Sequence, residues 1–287
     1  MHKIWASLSP HGILDNTYST SAVTDGSCRV ASHKGTLYCV YIDGPGSSGP
    51  VKFISRTAIS DWGEPKAIGE LHSNFAPGIF VFSERLHVLV PGVYGRAALM
   101  TLNPASGQFE LSYWLDMDIS ESPSAAVLDG RLHLFFKLRD SSNLQYRSTL
   151  DLDIWTKAVY VKSDRTNTAR THVSPLAITY QGLIHLIYKD VSGGFFLIKF
   201  DGDEHWTRSR RLFEESFHHS PAGVVHNGLL KLLFSDKQGT PYYDIHQYAY
   251  DGNVLGPATV STNVGAAKSM GAAVLDGVLH VLYRGQP

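Results

Sequence analysis

One phrase recurs six times along the chain. It is a serine, usually followed by proline, then a short apolar run, a turn ending in glycine, and an apolar residue followed most often by histidine. Ser122-Pro123 leads to Gly130 and Leu132-His133, and Ser174-Pro175 leads to Gly182 and Ile184-His185. Ser220-Pro221 leads to Gly228 and Leu230-Lys231, and Ser269 to Gly277 and Leu279-His280. Two looser copies run from Ser27 to Gly35 with Leu37-Tyr38, and from Ala76-Pro77 to Glu84 with Leu86-His87. The first residue and the turn residue are eight apart in every copy, and the turns recur at 35, 84, 130, 182, 228 and 277. Units of about 48 residues account for all 287 and leave no room for a second domain. Self-similarity at this period belongs to solenoids, propellers and arrays.

Within a unit the apolar residues alternate with period two and are rich in β-branched and aromatic types, which specifies strands rather than helices. In the third copy, 122–128 reads as a first strand, Asp129-Gly130 as a two-residue hairpin turn, 132–138 as a second strand, 144–148 as a third and 156–161 as a fourth. Four antiparallel strands in about 48 residues make one propeller blade. The sixth copy stops after two strands, while 3–9 and 14–19 read as an unpaired third and fourth. The expected fold is therefore all-β: a six-bladed β-propeller whose closing blade is shared by the N- and C-termini, a closure that removes exposed sheet edges. The blades are expected at 18–70, 71–117, 118–164, 165–215, 216–263, and 264–287 with 1–17 of a single domain, 1–287.

A formal net charge of -1 and a pI near 6.9 give no long-range field for nucleic acid or an anionic membrane. No stretch approaches the ~20 apolar residues of a membrane-inserted helix. The first ten residues lack the apolar core of a secretory signal, so the expected location is cytoplasmic, or exported without a recognisable signal peptide. Cys28 and Cys39 flank the turn at Gly35 diagonally, a poor geometry for a disulfide, and read as packed thiols. Arg208, Arg210 and Arg211 are followed by Glu214 and Glu215 and read as a solvated strand face. No cofactor or metal is expected, because phosphate loops, zinc spacings and complete calcium loops are missing. An oligomer is left open.

His87, His133, His185 and His280 occupy one repeated second-strand position, one per blade and too far apart to converge on a metal; they read as structural. The tryptophans recur as well. Ser55 to Trp62 and Ser148 to Trp155 keep the seven-residue separation of the Asp-box, Ser-x-Asp-x-Gly-x-x-Trp, and Asp201 to Trp206 keeps its Asp-to-Trp separation. On these three hairpins the chain resembles sialidase-like propellers, in a degenerate form, and it is also similar to propeller lectins of fungi and bacteria. Sialidases use an Arg triad, whose first arginine sits in an Arg-Ile-Pro motif missing here, together with a Tyr-Glu pair and an acidic residue; Arg29 is the nearest candidate and stands alone. The lectin resemblance implies sugar pockets between blades, with Trp62, Trp155 and Trp206 as stacking surfaces.

Residues that vary at a repeated position are the remaining candidates. Two before the serine slot stand Asp25, Asn74, Ser120, His172, His218 and Ala267; one before it stand Gly26, Phe75, Glu121, Val173, His219 and Lys268. First strands line a propeller's channel, so one set rings its mouth. Asp25, Asn74, Glu121, His172 and His218 there could act as acid and base on a small molecule, and His219 and Lys268 could bind ligand. Two functions therefore compete: a lectin-like propeller binding a glycan or another surface ligand, and a lyase-, cyclase- or hydrolase-like enzyme of small molecules at the channel mouth. A protein-interaction scaffold is the third.

Overall fold

The turn that ends each apolar run sets the local structure. In the computed structural model, both central residues of all six turns have positive φ, as at Lys34 and Gly35 (47° and 72°) and at Asp129 and Gly130 (49° and 75°). That is the backbone of the tight hairpin whose twist matches its flanking strands, and it is why glycine closes five of the six copies. Glu84, at 57°, closes the sixth without one. The structure describes residues 2–9, 16–24, 26–44, 48–93, 95–203, 205–214, 217–235, 244–262, 266 and 268–285.

The hairpins extend into four-stranded antiparallel sheets. Five consist of consecutive strands, and we number them blades one to five by their first strands: Cys28–His33, Gly78–Phe82, Ile119–Leu128, Leu176–Tyr180 and Ala222–His226. A further sheet is composite: Gly271–Leu275 and Val278–Arg284 continue through His2–Ser9 to Asn16–Thr24. Ile4 lies opposite Arg284 and Leu8 opposite His280, so the terminal segments are joined by a strand pairing. First strands touch one another in cyclic order, with the composite sheet between blades five and one. The molecule is an all-β propeller with four antiparallel strands per blade.

Strand bounds depart from expectation mainly at outer edges. The fourth strand of blade three is only Val159–Tyr160, although at its flanks Thr156 N still donates to Ser148 O and Val161 N to Leu144 O. Asn16–Thr24 belongs to the composite sheet, so blade one starts after it rather than at 18, and Lys66–Ser73 carries that blade past 70.

The core is divided among the seams between blades. Phe135 and Tyr146 of blade three pack with Ile198 and Phe200 of blade four; Phe195 and Leu197 of blade four pack with Phe234 and Tyr248 of blade five. Ile4 and Leu282 of the composite sheet pack with Cys28, Tyr41 and Ile54 of blade one. Alternation delivers one face of each sheet to each neighbour, so every blade is buried on both sides. Cys28 lies opposite Tyr41 and Cys39 opposite Val30, which makes the thiols diagonal; both are free and buried. Among the described residues no helix is long and apolar enough to cross a membrane.

Near the axis some blades approach too closely for a side chain. A Cβ on Gly78 would lie 2.7 Å from the carbonyl oxygen of Pro123 in blade three. Gly78→Ala is therefore expected to destabilise the fold by about 1–3 kcal/mol through overpacking. Gly26→Ala is the control, since its nearest neighbour would be the Thr24 hydroxyl at 3.5 Å. Urea denaturation of the two variants checks this; equal midpoints would mean the inner ring yields to an extra methyl.

Candidate functional site

The chain enters each first strand at the same end of the channel, and there a cavity of about 480 Å³ opens. Gly26, Phe75, Glu121 and Lys268, each just before the serine slot, line it together with slot residues such as Ser27, Ser122 and Ser174. Asn74 of the other set also lines it. His172 and His218 are exposed and outside its wall, whereas His219 is half-buried. Ser120 is buried and outside the lining, donating to the Leu138 carbonyl at 3.2 Å and accepting from Lys137 Nζ at 2.7 Å. Asp25 and Ala267 lie outside the described residues. The expected ring of Asp25, Asn74, His172 and His218 is thus represented in the cavity wall by Asn74, while Glu121 and Lys268 join it from the adjacent position.

Glu121 reaches the mouth through an irregularity. Ser120 pairs with Lys137 but Ser124 with Phe135, so three residues of the first strand bulge against one of the second. Glu121 sits on that bulge with φ 78°, a conformation that non-glycine residues rarely adopt. Burial pushes its carboxyl pKa up, opposed by the charges of Lys137, Arg29 and His172 and by the Ser174 hydroxyl, 3.5 Å from Oε2. Below the mouth the channel narrows to a cavity of about 130 Å³ walled by first strands. Arg29 enters it where other blades carry Gly78, Ser124, Leu176, Ala222 or Gly271. Its Nη1 donates to the carbonyls of Cys28 (3.1 Å) and Met270 (3.4 Å), and burial lowers its pKa. A carboxyl at the mouth above a caged guanidinium can hold a small polar molecule.

A larger opening, about 760 Å³, lies on the outer rim between blades three and four. Blade three contributes Lys162, Asp164, Arg165 and Thr166 from the loop after its last strand; blade four contributes Trp206 and Arg208. Ser209 N donates to Ser163 O at 2.7 Å and ties the two sides together. Asp164 shapes the loop: its Oδ1 accepts from Thr166 N, Thr166 Oγ1 and Asn167 N, and its Oδ2 from Asn167 Nδ2. These donors hold its carboxyl far below the usual carboxylate range. Trp206 stacks on Phe200, with centroids 4.0 Å apart and planes 12° apart.

All three tryptophans pack on seams: Trp206 also lies against the core between blades three and four, edge-on to Phe135 and Tyr146, while lining the cleft. Trp155 Nε1 donates to Leu152 O at 2.6 Å and to Tyr113 Oη at 3.2 Å, and its ring packs on the seam between blades two and three. Trp62 packs against the seam next to Cys28 and Tyr41, with Arg56 over its ring at 5.8 Å. The hairpin carboxylates are structural. Asp151 Oδ1 accepts from the backbone of Asp153 and Ile154, Asp201 Oδ1 from Asp203 and His205, and Asp251 Oδ1 from Asn253 and Val254. In blade three that carboxylate comes from Asp151, one residue beyond the Asp-box position.

Sequence reasoning passed over Lys162 and Arg165, and it read Arg208 with its neighbours as one solvated face. Arg210 donates to Asn253 O at 2.9 Å and Arg211 pairs with Glu214 at 2.9 Å, so those two are engaged. Arg208 instead lines the cleft. The available signal was Asp164-Arg165-Thr166-Asn167, whose Asp and Asn mark a tight turn that projects the residues beside it.

The sequence matches no protein-family profile and no curated protein sequence. Solved structures do match. The SapL1 lectin, in complex with α-methyl fucoside, is similar with a TM-score of 0.69 and 12% identity over 92% of this chain and 90% of that one. The Aleuria aurantia lectin, in complex with α-methyl-L-fucoside, gives 0.61 and 9% over 91% and 87%. The endosialidase of phage phi92 gives 0.61 and 10% over 98% and 72%. At these identities the likeness establishes the fold, a β-propeller of the kind found in lectins and in an endosialidase.

The repeated histidines are buried in the blades, and His133 and His185 meet Phe200 and Tyr250 of the next blade edge-on. Burial lowers all four from the ordinary 6.5 to about 4. Above pH 6.5 they are neutral whether folded or unfolded. On acidification the unfolded chain takes up protons that the folded state refuses, so stability falls between pH 6.5 and about 4. The urea midpoint should accordingly drop from pH 7.5 to pH 5, and His133→Gln should make that drop shallower. A midpoint that does not move over this range would contradict neutral burial.

Proposed function

We propose that the protein is a lectin-like propeller that binds saccharides, with its principal site in the cleft between blades three and four. One observation carries the reading: the cleft puts a tryptophan and three cationic side chains around a volume of about 760 Å³ at a seam between blades. A sugar ring offers an apolar face to an aromatic side chain and polar edges to hydrogen-bonding groups. In this reading the composite sheet counts as the sixth blade, 1–287 is one domain, and the partner is a glycan. Of the three tryptophans singled out by the repeat, Trp206 is the binding residue; Trp62 and Trp155 serve the seams.

The channel mouth supports a second reading, a site for a small polar molecule held by Glu121, Lys268 and Asn74 above Arg29. Its favouring observation is the bulge at φ 78°, backbone strain of the sort that accumulates at functional positions. Glu121 is the one carboxylate among the described residues lining that cavity, whereas glycosidic hydrolysis commonly uses a pair. Binding is therefore the stronger function.

A glycan array followed by calorimetry tests the choice. Specific saccharide hits are expected, weakened at least about tenfold by Trp206→Ala. Trp155→Phe, which keeps the seam filled, should leave binding unchanged. Binding that is indifferent to Trp206 but lost in Glu121→Gln would move the site to the channel. An array without hits would end the lectin reading.

A further inference from the structure

The cleft between blades three and four is distinguished by the balance of its hydrogen-bonding groups. Lys162, Arg165 and Arg208 face it against a single carboxylate, Asp164, a formal excess of two positive charges. Asp164 is already engaged, because three donors of its own loop converge on Oδ1 and a fourth on Oδ2. A carboxylate has about four lone-pair sites in all, so this one is filled by the turn that it orders. Thr166 spends its hydroxyl proton on the same oxygen. Among the described residues, the charged groups that remain for a ligand are therefore donors.

That balance bears on the ligand. Neutral sugar hydroxyls both donate and accept, and a site that selects them by charge-assisted hydrogen bonds needs an available carboxylate as well as a cation. Here the side-chain acceptor left to hydroxyl protons is the neutral Thr166 Oγ1, besides water. A carboxylate or sulfate accepts only, and the guanidinium fork matches its paired oxygens. Lys162 and Arg165 lie three residues apart across the Asp164 turn, and Arg208 faces them from the next blade beside Trp206. An anionic group placed between the blades would meet cations from both.

Resting on the lectin reading, we propose that this cleft selects saccharides bearing an anionic substituent, a carboxylate or a sulfate, with the sugar ring against Trp206 and the charge between Arg165 and Arg208. Calorimetry with four probes tests it: a glucuronic-acid disaccharide, N-acetylglucosamine 6-sulfate, neutral α-methyl fucoside and inorganic sulfate. The anionic saccharides should bind and the neutral one should not. Arg208→Gln and Arg165→Gln, exposed positions where folding should be kept, should each weaken binding by about tenfold or more. Affinity should also fall between about 0.05 M and about 0.5 M salt, as the charges are screened. Relative affinity for the two anionic sugars identifies which substituent is preferred.

Neutral fucoside binding as tightly as the anionic sugars, and lost in Trp206→Ala, would overturn the charge inference and leave the lectin reading standing. Inorganic sulfate binding as tightly as the sulfated sugar, with Trp206→Ala without effect, would reduce the cleft to an anion patch and overturn both. No binding by any probe, in a protein with a normal thermal melt, would also overturn both.

Discussion

The first strands meet around the axis through side chains of serine and the bare edges of their backbones, and the rest of the propeller is built outward from that ring. Ser122 N donates to Ser174 Oγ of the next blade at 3.0 Å, and Ser220 N donates to Ser269 Oγ at 3.1 Å. Ser122 Oγ in turn donates to Pro77 O of the preceding blade at 3.2 Å. An innermost strand has one edge without a ladder partner, and buried N–H and C=O groups there must be satisfied. The serine supplies a compact donor and acceptor, while the proline that follows has no N–H to satisfy. This is the physical content of the repeated Ser-Pro.

A ring so tightly joined at the axis leaves variation to two places. One is the channel wall, where equivalent positions range from Gly271 and Ser124 to Leu176 and Arg29. The other is the rim, where the blades diverge and seams end in loops. Between axis and rim the seams are filled with aromatic and aliphatic side chains, and the repeated histidines belong to that filling. Their low pKa follows from it, because a ring wedged against Phe200 or Tyr250 has no water to stabilise its charge.

Much of this was legible in the chain. The eight-residue offset from Ser to Gly fixed hairpins whose central residues do adopt positive φ, and the diagonal placement of Cys28 and Cys39 followed from the same turn. The pairing of 3–9 with the last strand was legible from an incomplete sixth copy. Other features were hidden for identifiable reasons. Periodicity does not reveal a bulge, so the orientation of Glu121 at the mouth was undetermined until three residues were seen against one. That Trp206 lines a cleft as well as packing on a seam depends on a loop forty residues away in sequence, which only blade-to-blade packing brings alongside. Arg208, Arg210 and Arg211 form one cluster in sequence, yet Asn253 and Glu214 engage only the last two.

The seam between blades two and three shows why the charge balance of the neighbouring cleft is meaningful. A cleft of about 560 Å³ there also carries arginines and a lysine, including Arg139, Arg147 and Lys157, together with Asp116, Asp118 and Asp140. Its charges are largely spent internally. Arg139 grips Asp118 through two bonds, at 2.8 and 2.9 Å, and lies over the Phe75 ring; Arg147 Nε donates to Thr156 O at 2.8 Å. A self-neutralised cleft of this kind offers an anionic ligand little beyond an exchange of one partner for another. Between blades three and four the same architecture consumes its carboxylate in shaping the loop and leaves its cations facing the opening. Equivalent seams of one repeat fold thus differ in whether their charges pair with each other, and that difference, rather than the fold, makes one of them the candidate for recognising a charged sugar.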